Sequence, residues 1–153
     1  MNQTTNNVKI RKFRVEDIKK ILKLERECFK EPYDFLTFIY FWRRDPNGFL
    51  VAEADNDVIG YVIANSRFFR KEEGEIVSIA VKPKYRRKGI GKRLMLEAIR
   101  YLKSKGVKRV GLEVREGNKE AISFYELIGF KKAYVIPRYY SDGENAVKMF
   151  KQI

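Results

Sequence analysis

The densest chemical signal in the chain is Ile79-Ala80-Val81-Lys82-Pro83-Lys84-Tyr85-Arg86-Arg87-Lys88-Gly89-Ile90-Gly91-Lys92-Arg93, where an apolar strand-like run enters a basic loop and then a helical pattern. Glycines let backbone N–H groups approach an anion closely, and a helix N-terminus adds partial positive charge. The segment is suited to cradle a phosphate. It is not a Walker A loop, because Arg93 rather than Ser or Thr follows Gly91-Lys92, and it lacks the three-glycine dinucleotide spacing. An ordinary strand-to-helix turn with surface cations would look the same, so the rest of the chain must decide.

The chain has no histidine, which excludes Ser-His-Asp and Cys-His nucleophile pairs, His-ligated zinc and the kinase HRD loop. A single cysteine, Cys28, rules out four-cysteine zinc and an internal disulfide and suits a reducing cytosol. A cytoplasmic protein without a metal is therefore expected, in which proton transfers fall to Glu, Asp, Tyr, Lys or bound water. The 33 Lys and Arg against 20 Asp and Glu give a net charge of +13. Such charge favours an anionic partner (nucleic acid, a phosphate-bearing cofactor or an assembly such as the ribosome), although charge spread this evenly is by default a solvated surface. The apolar run Phe35 to Trp42 stops at Arg43, far short of a membrane span, and the polar start Met1 to Asn7 lacks a secretory h-region. Abundant Lys, Arg and Glu with only Gln3 and Gln152 as glutamines point weakly to a thermophilic source.

The elements that must position the loop follow from periodicity. Val8 to Phe13 predicts a strand, Glu16 to Phe29 a helix with Ile18, Ile21, Leu22, Cys28 and Phe29 on one face, and Asp34 the N-cap of a second helix. Gly48–Ala54, Val58–Ser66 and Gly74–Val81 predict an antiparallel meander, with Asp55-Asn56-Asp57 as a hairpin turn. Gly91–Lys105 predicts the longest helix, ended by Gly106; then come a strand at 110–114, a helix at 119–128 and strands at 130–136 and 146–150. The expected order is βααβββαβαββ: a flexible tail at 1–7, then one α/β domain at 8–153 with a mixed, mostly antiparallel sheet of six to seven strands flanked by about four helices.

Arg86-x-x-Gly89-x-Gly91, preceded by Ile79-Ala80-Val81 and Pro83, resembles the pyrophosphate-binding signature of the GNAT superfamily of N-acetyltransferases. A second segment, Asn118-Lys119-Glu120-Ala121-Ile122-Ser123-Phe124-Tyr125-Glu126-Leu127-Ile128-Gly129-Phe130, is similar to that superfamily's N-x-x-A-x-x-F-Y-x-x-x-G-F motif. Leu112-Glu113-Val114-Arg115 and Tyr139 to Ala146 resemble protein N-terminal acetyltransferases of the ribosomal-protein-alanine and arrest-defective types. Glu31, in Cys28-Phe29-Lys30-Glu31-Pro32-Tyr33, stands where the arrest-defective type has a substrate-facing acid.

The resemblance implies acetyl-CoA as co-substrate. Backbone groups of Ile79, Ala80 and Val81 would run along the pantetheine, and the loop through Arg86, Arg87, Lys88, Gly89, Ile90, Gly91 and Lys92 would hold the pyrophosphate. Asn118 would hydrogen-bond the pantetheine arm, cap the following helix, or both. Glu113 would be the general base, through a water; its alternative is a surface ion pair with Arg115 or a neighbour. Tyr125 would be the general acid for the departing thiolate, and would bind cofactor; its alternative is aromatic core. Phe29, Glu31, Tyr33, Tyr139 and Tyr140 would wall a peptide groove, with core packing the stronger alternative for Phe29. Cys28 lies on the apolar helix face, so it is taken as core and transfer as direct.

An α-amine has a reference pKa near 8 against about 10.4 for lysine, so a weak base suffices for an N-terminus. The activity the resemblance implies is acetylation of protein or peptide N-termini, with the basic surface keeping the enzyme near the ribosome. Lysine side chains, polyamines or another small amine are the alternative acceptors. A non-catalytic basic RNA-binding module is remote, because RNP-type and KH-type signatures are missing; neither sequence-specific nucleic acid nor a membrane is expected as partner.

Overall fold

In a computed structural model, which describes residues 7–66, 70 and 72–153, the elements follow the expected order. Strand β1 (Lys9–Lys12) leads into helices α1 (Ile18–Cys28) and α2 (Phe35–Arg44). The meander β2 (Phe49–Ala54), β3 (Asp57–Ser66) and β4 (Glu73–Val81) precedes α3 (Ile90–Ser104), β5 (Arg109–Arg115), α4 (Lys119–Ile128), β6 (Lys131–Ile136) and β7 (Ala146–Gln152). Of the expected tail, residues 1–6 lie outside the described residues.

Boundaries move where side chains compete with the backbone. The first helix starts later than Glu16 because Val15–Asp17 form a 3-10 turn: the Asp17 carboxylate accepts the Arg14 N–H at 2.8 Å and two bonds from the Arg11 guanidinium at 2.8 Å each. That helix also ends at Cys28, with Phe29 extended and 38% exposed, so Phe29 is not a core residue. Asp34 caps α2 as expected, its Oδ1 accepting from the Thr37 N–H at 2.9 Å. Asp55 and Asn56 take φ of 52° and 60°, the left-handed pair that a tight hairpin between β2 and β3 requires.

The seven strands form one sheet in the order β1-β2-β3-β4-β5-β7-β6. Alternation along the strands sends apolar residues to both faces. On one face, Leu94, Met95, Ala98 and Leu102 of α3 and Ile122 of α4 pack on Ile59, Val62, Ile76, Leu112 and Met149. On the other, Ile21 and Leu24 of α1 and Phe38 of α2 pack on Phe49, Val51, Tyr61 and Ile63. Every strand pair is antiparallel except β4 with β5. That parallel ladder spans only Glu73–Glu75 against Arg109–Gly111. The C-terminal halves of β4 and β5, Val77–Val81 and Leu112–Arg115, run on without pairing to each other, and the sheet opens there.

Candidate active site

The opening is flanked by the residues the two motifs single out. Ile79, Ala80 and Val81 pair with β3 along one edge only, at Val62, Tyr61 and Gly60. Their other edge faces the gap toward β5, with backbone groups available to an extended ligand. Beyond Val81 a 3-10 turn (Pro83–Tyr85) leads to Arg86, Arg87 and Lys88, all exposed, and then into α3. Arg87 takes φ +62° and Gly89 φ +80°, two left-handed residues that bend the chain just before the N-terminus of α3, whose first N–H groups have no partner within the helix. A Cβ built on Gly89 meets nothing within 4 Å, whereas one on Gly91 would stand 3.2 Å from Phe124 Cζ. Gly89 therefore faces open space, whereas the bareness of Gly91 serves α3–α4 packing. Ile90 is buried in the core, so only its N–H is offered to a ligand, and Lys92 is exposed. The Arg86 side chain folds back: its Nε donates to the Val81 carbonyl at 3.0 Å and its Nη2 to Cys28 Sγ at 3.4 Å. Burial pushes the Cys28 thiol up, against the opposing pull of Arg86, which makes it a poor nucleophile near neutral pH.

Across the gap, Glu113 sits on β5 directly opposite Lys148 of β7, and Lys148 Nζ donates to Glu113 Oε1 at 2.7 Å. The ion pair is therefore with Lys148 and not with Arg115, which joins Asp142 at 2.8 Å and Glu144 at 2.9 Å and lies 4.1 Å from the Tyr140 ring centre. Tyr125, on α4, packs between Phe124 and Phe130, at centroid distances of 5.4 and 6.0 Å. Burial raises its phenol to about 12. Burial raises the Tyr140 phenol, and the Glu113 carboxylate and the Tyr125 phenol, from β5 and α4, add to the rise. Asn118 caps α4, its Oδ1 accepting the Ala121 N–H at 3.1 Å, so one amide atom is committed to the helix and the Nδ2 remains for a ligand.

On the α1–α2 face the loop at 29–34 meets the β6–β7 loop, and these carry the aromatic residues expected to wall a peptide groove. Tyr33 contributes from 29–34, its phenol raised to about 12 by burial and by the carboxylates of Glu25, Glu75 and Glu113. Tyr139 and Tyr140 contribute from the β6–β7 loop, with rings 5.0 Å apart and T-shaped. Glu31 is not a free acid: its Oε1 accepts from Ser141 Oγ at 2.5 Å and lies 3.5 Å from Arg115 Nη2, so it latches the loops together across the groove.

Three features escaped the sequence reading. Lys148 is buried on the groove face beside Glu113, and Glu75 joins Glu113 in bearing electrostatically on Tyr33 and Tyr139. Glu25 is buried at 2% exposure, accepts the Tyr33 N–H at 3.1 Å and a short bond from the Tyr61 hydroxyl, and Tyr61 in turn lies 2.8 Å from Ser78 Oγ of β4. That network fixes the 29–34 loop to the strand beside the gap. The alternation Val147, Lys148, Met149 carries the signal for Lys148, a cation between two core residues, but only strand pairing shows what it meets.

Comparison with known proteins agrees with this geometry. Residues 18–130 match the Acetyltransferase (GNAT) family. An N-alpha-acetyltransferase from Sulfurisphaera tokodaii is 35% identical over 151 residues, covering 92% of this chain and 90% of that protein. A putative [ribosomal protein bS18]-alanine N-acetyltransferase from Bacillus subtilis is 31% identical over 146 residues, covering 94% and 95%. The solved structure of Ard1 from Thermoplasma volcanium superposes with a TM-score of 0.92 at 30% identity, covering 96% of this chain and 98% of that one. The opened parallel pair, the glycine-bearing loop and these matches define an acetyl-CoA-dependent N-acyltransferase. The chain belongs to the GNAT acetyltransferase family.

Proposed function

We propose that the protein transfers the acetyl group of acetyl-CoA to the α-amine of a protein or peptide N-terminus by direct attack in a ternary complex. The observation that carries this reading is the gap between β4 and β5, with the phosphate loop at one end, Glu113 on its far wall and a tyrosine-lined groove over it. Near pH 7 about one α-amine in ten is neutral but fewer than about one lysine in a thousand, so a carboxylate working through a water is a sufficient base. Glu113 takes that proton. Its charge, felt by Tyr33, Tyr139 and Tyr140, faces the groove where the amine would lie.

Tyr125 serves the leaving sulfur. With the phenol at about 12 and an ordinary thiol near 8.5, full proton transfer to the thiolate is uphill. The role that fits is a hydrogen bond to the developing thiolate, with solvent supplying the final proton. Asn118 Nδ2 and the open edge of Ile79–Val81 hold the pantetheine, and the N–H groups of Arg87–Lys92 hold the pyrophosphate. The peptide backbone enters between Phe29, Tyr33 and Tyr139–Tyr140, its approach set by the Glu31–Ser141 latch. The net charge of +13 supports work in the cytoplasm near the ribosome, where N-termini emerge.

The test is CoA release, with mass spectrometry of the products, from acetyl-CoA and two peptides of one sequence. One has a free N-terminus; the other is blocked there and carries an internal lysine. Acetylation of the free α-amine with little modification of the blocked peptide is expected. Equal modification of both moves the reading to lysine or small-amine acceptors, and no CoA release with any amine leaves the RNA-binding module to be tested.

A further inference from the structure

We infer that Lys148 is a positioning residue for the acetyl-transfer reaction: its ammonium holds one oxygen of Glu113 and so turns the other toward the acceptor amine. The inference rests on the reading of Glu113 as base, and it concerns a side chain to which no role has yet been given. Lys148 lies on β7 between Val147 and Met149, both of which face the core under α3 and α4. Strand alternation therefore sends Lys148 to the groove face, and the β5–β7 register sets it directly across from Glu113. There it is 5% exposed, far more enclosed than a lysine on a solvated strand would be.

Its surroundings confine the ammonium. Nζ lies 2.7 Å from Glu113 Oε1 and 5.3 Å from the centre of the Phe150 ring. Beneath it is Gly111, where an added Cβ would come within 3.2 Å of both Cε and Nζ. A glycine floor, an aromatic wall and a carboxylate leave the lysine head one place to be. The consequence reaches Glu113, a side chain with three rotatable bonds that would otherwise sample many orientations before substrate arrives. Held at Oε1, it presents Oε2 in one geometry, and prior orientation of a base contributes directly to rate.

Stability does not explain the pair. A buried ion pair gains little over apolar residues of similar volume, and methionine at 148 would fill the same space between Gly111 and Phe150 without desolvating a charge. Glu113, partly open to the groove with 22% of its side chain exposed, could be hydrated in such a variant. Lys148→Met is thus expected to fold and melt close to the wild type while losing the clamp.

The experiment measures kcat and both KM values for Lys148→Met, Glu113→Gln and the double variant, with whichever amine the wild type acetylates, alongside thermal melts. Lys148→Met is expected to lower kcat about tenfold or more while the KM for acetyl-CoA stays within about twofold. The double variant is expected to be no slower than Glu113→Gln alone, because a residue that acts through Glu113 has nothing left to act on. Wild-type kcat in Lys148→Met overturns the inference, as does a loss that adds in full to that of Glu113→Gln. If Lys148→Met does not fold, Gly111→Ala keeps the lysine and pushes its head by a few tenths of an ångström; a fall in kcat at unchanged acetyl-CoA KM supports the clamp, and wild-type kcat overturns it. Wild-type turnover in Glu113→Gln would remove the base and the clamp together, whereas a preference for lysine over α-amines would revise the acceptor and leave the clamp standing.

Discussion

Tyr125 shows how one side chain can satisfy two readings at once. It packs as an aromatic core residue between Phe124 and Phe130 and carries a hydroxyl within electrostatic reach of Tyr140 at the groove. Tyr125→Phe keeps the packing and deletes the donor, so turnover is expected to fall about 10- to 1000-fold with acetyl-CoA affinity nearly unchanged. Stopped-flow single turnovers check this, and wild-type rates would assign stabilisation of the thiolate to water or another donor. Glu113→Gln removes the proposed base but not the neutral fraction of the amine. Its defect is therefore expected to be largest at low pH and to shrink toward pH 9, as the α-amine passes its pKa near 8; a defect constant across a pH series of acetylation rates would exclude Glu113 as base. These two residues were legible because each lies in a spaced motif. Lys148 was not, since its meaning depends on a partner strand some 35 residues away; of the ion-pair partners open to Glu113, Arg115 or a neighbour, it is the cross-strand neighbour Lys148 that makes the pair. Arg115 is drawn off by Asp142 and Glu144 of a loop whose fold no local pattern announces.

At the scale of elements, strands, helices and their order were readable from periodicity, while the feature that makes the site was not. Two and 3.6 residue periods identify β4 and β5 but say nothing of a parallel ladder that stops at Glu75 and Gly111. The loop into α3 was legible as a strand-to-helix turn with two glycines, yet those glycines act by different physics. Gly89 needs a positive φ, so Gly89→Val puts a β-branched side chain into the left-handed region and moves the N–H groups that follow; acetyl-CoA affinity is expected to fall at least about tenfold. Gly91 lies in the first turn of α3 against Phe124, so Gly91→Val must push the Phe124 ring aside and is expected to lower the melting temperature as well as the affinity. Lys92→Ala, an exposed side chain, is expected to cost less than either. Isothermal calorimetry with acetyl-CoA, paired with thermal melts, separates the cases: wild-type affinity in folded Gly89→Val would remove the loop from the cofactor site.

For the whole molecule, charge sets how stability varies with pH. The chain carries +13 near neutrality, and protonating its 20 carboxylates leaves 33 cations, so self-repulsion grows on acidification. Two buried carboxylates then pull in opposite directions. Asp17 has burial raising its pKa, but the Arg11 hydrogen bond, the Arg14 N–H and the Arg11 charge together hold it below its ordinary 3.8. Its contribution is fully present above that unfolded value and is lost as pH falls through the lower folded one. Asp17→Asn is expected to cost about 2 kcal/mol at pH 7, with the gap to wild type closing below pH 3.8. Glu25 is the reverse: burial raises it above its ordinary 4.5, outweighing its bonds from Tyr61 and Tyr33. Its contribution is fully present below 4.5 and is lost as pH rises through the folded value, because the ionised form must then be buried. Glu25→Gln keeps one acceptor oxygen, for the Tyr33 N–H, and turns its NH2 to the Tyr61 hydroxyl, which can accept that bond and donate to Ser78 Oγ; it does not titrate, so its stability relative to wild type is expected to climb as pH rises above 4.5. Urea unfolding of the three proteins from pH 3 to 8 reads both slopes in one series. Parallel stability curves for wild type and Glu25→Gln would mean that the carboxyl linking the 29–34 loop to β4 ionises at its ordinary pH, and that burial there imposes no cost on the charged form.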